Sequence, residues 1–293
     1  MAKEKRVNAA KPGQAKKRPK LGQNFLRDAS AAQKIVEALG EIGDATVIEI
    51  GPGRGALTEA LAARARRLIA IELDRVMAAQ SRLHFARQRN VEIIEGDARA
   101  VDFANLIARH PAPLLNTGVQ PVAAVHERAS VVGNLPYYIT SEILLRLLEY
   151  TDWLNTIVIM VQREVADRIA ASPGSRDYGL LSATVQLFGR VEKLFTLPPG
   201  AFAPAPKVHS SVLRITIAPR LDSLRIDKDG FVNFLKLAFA QKRKTLANNL
   251  RQRHAESNVA KALEKAGVRK DARAEQLSLE KMAAMYRAIR PSP

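Results

Sequence analysis

The chain has 293 residues, 47% apolar and 26% charged, enough for about two domains whose core needs no disulfide or metal. No cysteine is present, which excludes a disulfide scaffold, a thiolate zinc site, an iron–sulfur cluster and a cysteine nucleophile. The formal charge of +17 lies at the ends: residues 1–20 carry net +7, residues 230–293 net +9, and the 209 residues between them net +1. A neutral body with basic ends suggests a centre for chemistry and appendages that hold a polyanion. No apolar run approaches the roughly 18 residues of a membrane span. The basic N-terminus lacks the apolar core of a secretory signal. A cytoplasmic, monomeric protein with no membrane partner is expected.

Residues 1–20, with Pro12, Pro19 and dispersed lysines, read as a disordered arm. Residues 29–40 have helical spacing and stop at Gly40. Strands and helices then alternate. Strands are expected at 46–50, 68–73, 91–94, from 131 into Asn134, and at 157–161. Helices are expected at 56–67, 76–89, 140–150 and 163–171. This rhythm predicts an α/β fold, a doubly wound parallel sheet with helices on both faces. Residues 99–130 hold three prolines and no clear period. The run PPGAFAPAP at 198–206 excludes helix and central strand. A β-rich stretch at 208–217, a polar linker at about 218–229 and a helical region from Phe231 complete the chain, with Gly267 as a helix stop.

The first chemical motif is Glu49-Ile50-Gly51-Pro52-Gly53-Arg54-Gly55 at a strand-to-helix turn, where glycines let a ligand approach the backbone and a helix N-terminus favours an anion. Glu72 ends the next strand, 21 residues after Gly51, where a carboxylate can accept both ribose hydroxyls of NAD or another adenosine cofactor. Asp97 ends the third strand and can accept from an adenine amino group. Asn134-Leu135-Pro136-Tyr137 follows the fourth strand. The lone pair of an adenine N6 is delocalised into its ring. The Asn134 amide oxygen and the Leu135 carbonyl can accept its two hydrogens, draw the nitrogen toward tetrahedral geometry and free the lone pair. Pro136 stiffens the turn, and Tyr137 offers a face to a base taken out of its stack. The five histidines lack ligand spacing, so no metal is expected.

Taken together, GQNFL (22–26), VIEIGPGRGALT (47–58), IELD (71–74), EGDA (95–98), GNLPYYIT (133–140), MVQREVADRI (160–169), YGLLS (178–182), FAPAPKVHSSV (202–212) and FAQKRKTLANNL (239–250) resemble the ribosomal RNA adenine dimethyltransferases over about residues 20–290. The resemblance implies a Rossmann-like class I methyltransferase domain at 21–218, a linker at 219–229 and a smaller all-helical rRNA-binding domain at 230–293. It implies S-adenosyl-L-methionine as cofactor. Asn24 and Leu26 would line its site, Gly51 would meet its methionine moiety, Glu72 its ribose and Asp97 its adenine, and Asn134 would face cofactor and target amine. Phe202 would be a second aromatic wall opposite Tyr137. The closest branch acts on the small subunit: it places two methyls on each of two adjacent adenosines near the 3′ end of 16S rRNA in the immature 30S subunit. The basic residues Lys242, Arg243, Lys244, Arg251 and Arg253 would hold RNA, with Lys244 and Arg251 on one helical face and Leu246 and Leu250 toward the core. Alternatives are a large-subunit rRNA methyltransferase, a non-enzymatic assembly factor on the same fold, and a nicotinamide enzyme.

Overall fold

The computed structural model describes residues 24–109 and 127–289. The basic arm, most of the 99–130 segment and the last four residues lie outside that range. In chain order the elements are β1 (Phe25–Leu26), α1 (Ala29–Glu37), β2 (Thr46–Ile50), α2 (Thr58–Ala62), β3 (Arg67–Glu72), α3 (Arg75–His84), β4 (Val91–Glu95), α4 (Phe103–Ala108), β5 (Ala129–Asn134), α5 (Thr140–Leu147), β6 (Leu154–Gln162), α6 (Arg163–Ile169), α7 (Leu180–Phe188), β7 (Gly189–Leu197), β8 (Phe202–Ala203) and β9 (Ser210–Ile217). Then come α8 (Leu221–Leu224), α9 (Lys228–Ala238), α10 (Leu246–Leu250), α11 (Glu256–Lys265) and α12 (Leu279–Ile289).

Seven strands form one sheet in the order β4-β3-β2-β5-β6-β9-β7. β4, β3, β2, β5 and β6 run parallel, and β9 is antiparallel to both neighbours. The expected all-parallel sheet is therefore broken at β9. The 12 residues between β7 and β9 carry no full crossover helix, and a parallel return needs one. β2 and β3 read TVIEI and RLIAIE, and nearly every residue is buried, as strands covered on both faces require. Strand order reverses between β2 and β5, and a crevice at such a reversal is the usual ligand site of an open α/β sheet.

Side-chain caps fix several helix starts. Asp28 accepts from the Ala31 N–H at 3.0 Å, and Asp74 accepts from Val76 at 2.8 Å. The helix expected at 56–67 spans only Thr58–Ala62: the positive-φ glycines Gly51, Gly53 and Gly55 delay its start, and a turn at 63–64 ends it ahead of β3 at Arg67. The helix expected at 76–89 ends at His84. The aperiodic 99–130 segment yields α4, one short turn capped by Asp102 and seated on buried Phe103, Leu106 and Ile107. Residues 180–197, to which the sequence pattern assigns no element, form α7 and β7. The 218–229 linker contains α8 and the start of α9. Within 198–206, Pro199–Ala201 make one 3₁₀ turn, and Phe202–Ala203 pair with β1 as an isolated two-stranded ribbon. Helices α9 to α12 share one continuous hydrophobic cluster with strands β5, β6 and β9.

Candidate active site

A cleft of about 760 Å³, open to solvent, lies at the carboxyl ends of β2, β3, β4 and β5. Its lining gathers Asn24, Gly51, Glu72, Asp97 and the consecutive run Asn134, Leu135, Pro136 and Tyr137 from five separated places in the chain.

The floor is the glycine turn after β2. Gly51 has φ +73° and Gly53 φ +55°, in the left-handed region that favours glycine. A Cβ on Gly53 would meet the Phe25 ring at 2.9 Å. The backbone there has no side chain and is closely roofed by Phe25, with the Arg54 guanidinium 4.8 Å from the centroid of the Phe25 ring. The helix after this turn has only five residues, so its N-terminus contributes little to anion binding.

Glu72 is 2% exposed. One of its oxygens accepts from the Gly53 N–H at 3.1 Å and the other from the Asp74 N–H at 2.9 Å. Each oxygen keeps a lone pair for a further donor. Burial pushes its carboxyl above the usual range, and the N–H donors of Asp74 and Gly53 oppose that shift. Beneath it Glu49 is fully buried in β2, and its Oε2 has no hydrogen-bond partner. Burial pushes its pKa up to about 8, and the nearby Glu72 charge adds to the rise. Asp97 is gripped by Arg99, whose Nε lies 3.0 Å from Oδ1 and whose Nη2 lies 2.6 Å from Oδ2. That guanidinium holds the Asp97 carboxyl below its ordinary value, and its Nη1 reaches Glu142 at 2.8 Å.

The turn after β5 carries Asn134 through Tyr137. The Asn134 Nδ2 donates to the Asn24 carbonyl at 2.8 Å. A carbonyl can only accept, so this contact fixes which edge of the amide is nitrogen and leaves the Oδ1 edge as acceptor. The Leu135 N–H donates to Met160 of β6 at 3.1 Å, and the Pro136 carbonyl accepts from the Ile139 N–H and the Thr140 hydroxyl, each at 3.1 Å. These bonds tie the turn to the sheet and to α5. The Tyr137 hydroxyl is hydrogen-bonded to Ser210 Oγ at 2.8 Å.

Two expected residues lie elsewhere. Phe202 is 2% exposed, paired with Leu26 under the β1 ribbon, and does not line the cleft; it is part of the packing that holds β1. Leu26 lines a smaller cavity beside the glycine turn with Glu49, Pro52 and Leu57. The sequence pattern gave no role to Phe25, Leu73 and Ile143, which line the cleft. Phe25 stands beside Asn24 in the GQNFL run, and that adjacency was the available signal.

The basic residues also depart from expectation. Residues 242–245 form a turn, and α10 spans only Leu246–Leu250, so Lys244 and Arg251 do not share a continuous helical face. Thr245 caps α10, accepting from Asn248 at 3.2 Å, and buried Asn249 donates to the carbonyls of Ala238 and Gln241. Helix α9 therefore cannot run on. Leu246 and Leu250 are fully buried, as spaced. Lys242 donates to the Arg176 carbonyl at 2.7 Å, and Arg251 pairs with Glu256 at 2.6 Å. Arg243, Lys244 and Arg253 are exposed.

The family model described as Ribosomal RNA adenine dimethylase matches residues 14–290. The chain belongs to that family. It is 56% identical over 285 residues to the Ribosomal RNA small subunit methyltransferase A of Koribacter versatilis, covering 97% of this chain and 99% of the relative. It is 54% identical over 275 residues to the protein of the same name from Acidobacterium capsulatum, covering 94% and 92%. Among solved structures it is similar to the 23S rRNA methyltransferase ErmE, with a TM-score of 0.65, 26% identity and coverage of 91% and 99%. It also shares its fold with a dimethyladenosine transferase from Plasmodium falciparum, with a TM-score of 0.71 and 24% identity over 89% and 95%. The family member described here is a methyltransferase acting on ribosomal RNA adenine, with a Rossmann-like sheet and a C-terminal helical region. Family and fold imply S-adenosylmethionine as methyl donor. The bare glycine turn and the spare lone pairs of Glu72 fit such a ligand.

Proposed function

We propose that this enzyme dimethylates the N6 atoms of two adjacent adenosines near the 3′ end of 16S rRNA within the immature 30S subunit, as a cytoplasmic monomer. The carrying observation is the fixed Asn134 amide, whose acceptor edge is set by the Asn24 carbonyl at the mouth of the cleft. The two relatives above, both small-subunit methyltransferases by name, support the choice of subunit.

When bound, the cofactor supplies an electrophilic sulfonium methyl. Glu72 would accept from its ribose hydroxyls and Asp97 from its adenine amino group, and the Gly51 backbone and Asn24 would hold its methionine end, with Leu26 behind them in the smaller cavity beside the glycine turn. Asn134 Oδ1 and the Leu135 carbonyl accept the two hydrogens of the target amine, which localises the lone pair on nitrogen. Pro136 holds the turn and Tyr137 stacks on the extruded base. No side-chain base is needed, because the alkylated amine is cationic and can lose its proton to water. Arg243, Lys244 and Arg253 contact RNA phosphates, with smaller shares from Lys242 and Arg251, whose charges already have partners.

Mass spectrometry of 16S rRNA from cells with and without this protein tests the site. Transfer of labelled methyl to 30S and to 50S precursors tests the subunit. Label appearing only in the 50S precursor would move the enzyme to the large subunit.

A further inference from the structure

The FAPAPKVHSSV run places Ser210 at the start of β9, a residue type with no evident part in methyl transfer. In the fold Ser210 is fully buried, and its backbone is paired on both sides, against Gln162 of β6 and Leu197 of β7. Its position is therefore fixed by the sheet. Adjacent strand residues face opposite ways, and Ser211 uses its hydroxyl on Thr196 at 2.9 Å. Ser210 faces the other side and meets the Tyr137 hydroxyl at 2.8 Å across 73 residues of chain.

Tyr137 belongs to a turn, not to a strand, so the backbone alone does not fix its ring. A ring on two rotatable bonds can swing unless its far end is held. Tyr138 next to it is 59% exposed. The phenol of Tyr137 is pushed above its ordinary pKa by burial, so it stays protonated and keeps the hydrogen bond.

We propose that Ser210 is a positioning residue that anchors the far end of the Tyr137 ring, and so the direction in which the ring projects, so that it can receive the extruded target adenine. Ser210 touches neither substrate nor cofactor and acts only through Tyr137. The inference rests on the stacking role given to Tyr137 above.

A double-mutant cycle of Tyr137→Phe and Ser210→Ala tests it. Tyr137→Phe keeps the ring and removes the tether from the exposed end; Ser210→Ala removes it from the buried end. Each should lower kcat/KM for RNA about three- to tenfold, the range expected for one hydrogen bond. The double variant should lose no more than the worse single variant. Cofactor affinity by calorimetry should be unchanged in all three, which also reports that the site is folded. With 2-aminopurine at the target position, the bound wild-type enzyme should quench its fluorescence by stacking, and both single variants should quench less. Losses that multiply in the double variant, or single variants with wild-type transfer and quenching, would overturn the proposal. The cycle is run on whichever precursor, 30S or 50S, the wild-type enzyme methylates, so an error in the substrate is separated from an error in the tether.

Discussion

Asn134 is held by one carbonyl and free at its other edge, and that asymmetry makes a prediction. Its oxygen is used mainly when the target nitrogen becomes tetrahedral, so Asn134→Ala should cut single-turnover transfer by about 10²- to 10³-fold at saturating cofactor and RNA. Cofactor affinity should fall only severalfold, because the lost Nδ2 contact anchors the neighbouring Asn24 segment. Near wild-type transfer would remove Asn134 from the chemistry. Glu49 makes a second prediction. Its pKa of about 8 stands above the free value of 4.5, so the native state binds the proton more tightly than the unfolded chain. That stabilisation is complete below about pH 4.5 and is lost as pH rises through about 8, a change on the order of 5 kcal/mol. Glu49→Gln keeps a neutral polar group and should flatten this fall. Glu72 is shifted in the same direction, so part of the slope should survive. Urea midpoints from pH 5 to 9 for both proteins would show it; parallel curves would mean that Glu49 is not the group responsible.

The elements differ in how well local pattern described them. β2 and β3 are short β-branched runs buried on both faces, and their spacing marked them within a residue or two. Helix α2 falls short of the expected span mainly at its C-terminal end, where the alanines and arginines of 63–67 keep helical composition but the chain turns to enter β3 at Arg67. α4 is too short to show a period. The β2–β5 contact is close beside the site. A Cβ on Gly133 would lie 2.6 Å from the Ile50 carbonyl oxygen, a backbone atom that cannot swing aside. Gly133→Ala should therefore destabilise the protein by about 1–3 kcal/mol and displace the Asn134 turn that follows. Calorimetric melting and cofactor titration would register both effects. An unchanged melting temperature would show that the two strands can part without cost.

At the scale of the molecule, charge is segregated from chemistry. The neutral sheet carries the cleft, and the basic helical end has few acids to pair with its lysines and arginines. Neutralising Lys242, Arg243 and Lys244 together to Gln should weaken binding to the RNA precursor and flatten its salt dependence by about 0.7–0.9 in slope per lost phosphate contact. Lys242 already donates to the Arg176 carbonyl, so most of the change should come from Arg243 and Lys244. Cofactor affinity should not change. Binding measured against salt concentration decides this; a wild-type slope would mean that the 242–244 turn does not grip RNA.

The sequence by itself determined the parallel βα core and the strand-end motifs at Gly51, Glu72, Asp97 and Asn134. Each is local: a strand, a stop and the residues just after it, and parallel strands deliver those ends to one edge of the sheet. It also determined the segregation of charge. Only the tertiary structure decided the reversal of β9, the burial of Phe202 against β1, the roof formed by Phe25, the contacts of Lys242 with the Arg176 carbonyl and of Arg251 with Glu256, and the Tyr137–Ser210 contact. These join residues far apart in the chain or depend on which face a side chain turns to. Neither propensity nor spacing encodes such choices, because they are set by which packed arrangement buries the apolar surface while leaving the fewest polar groups unpaired.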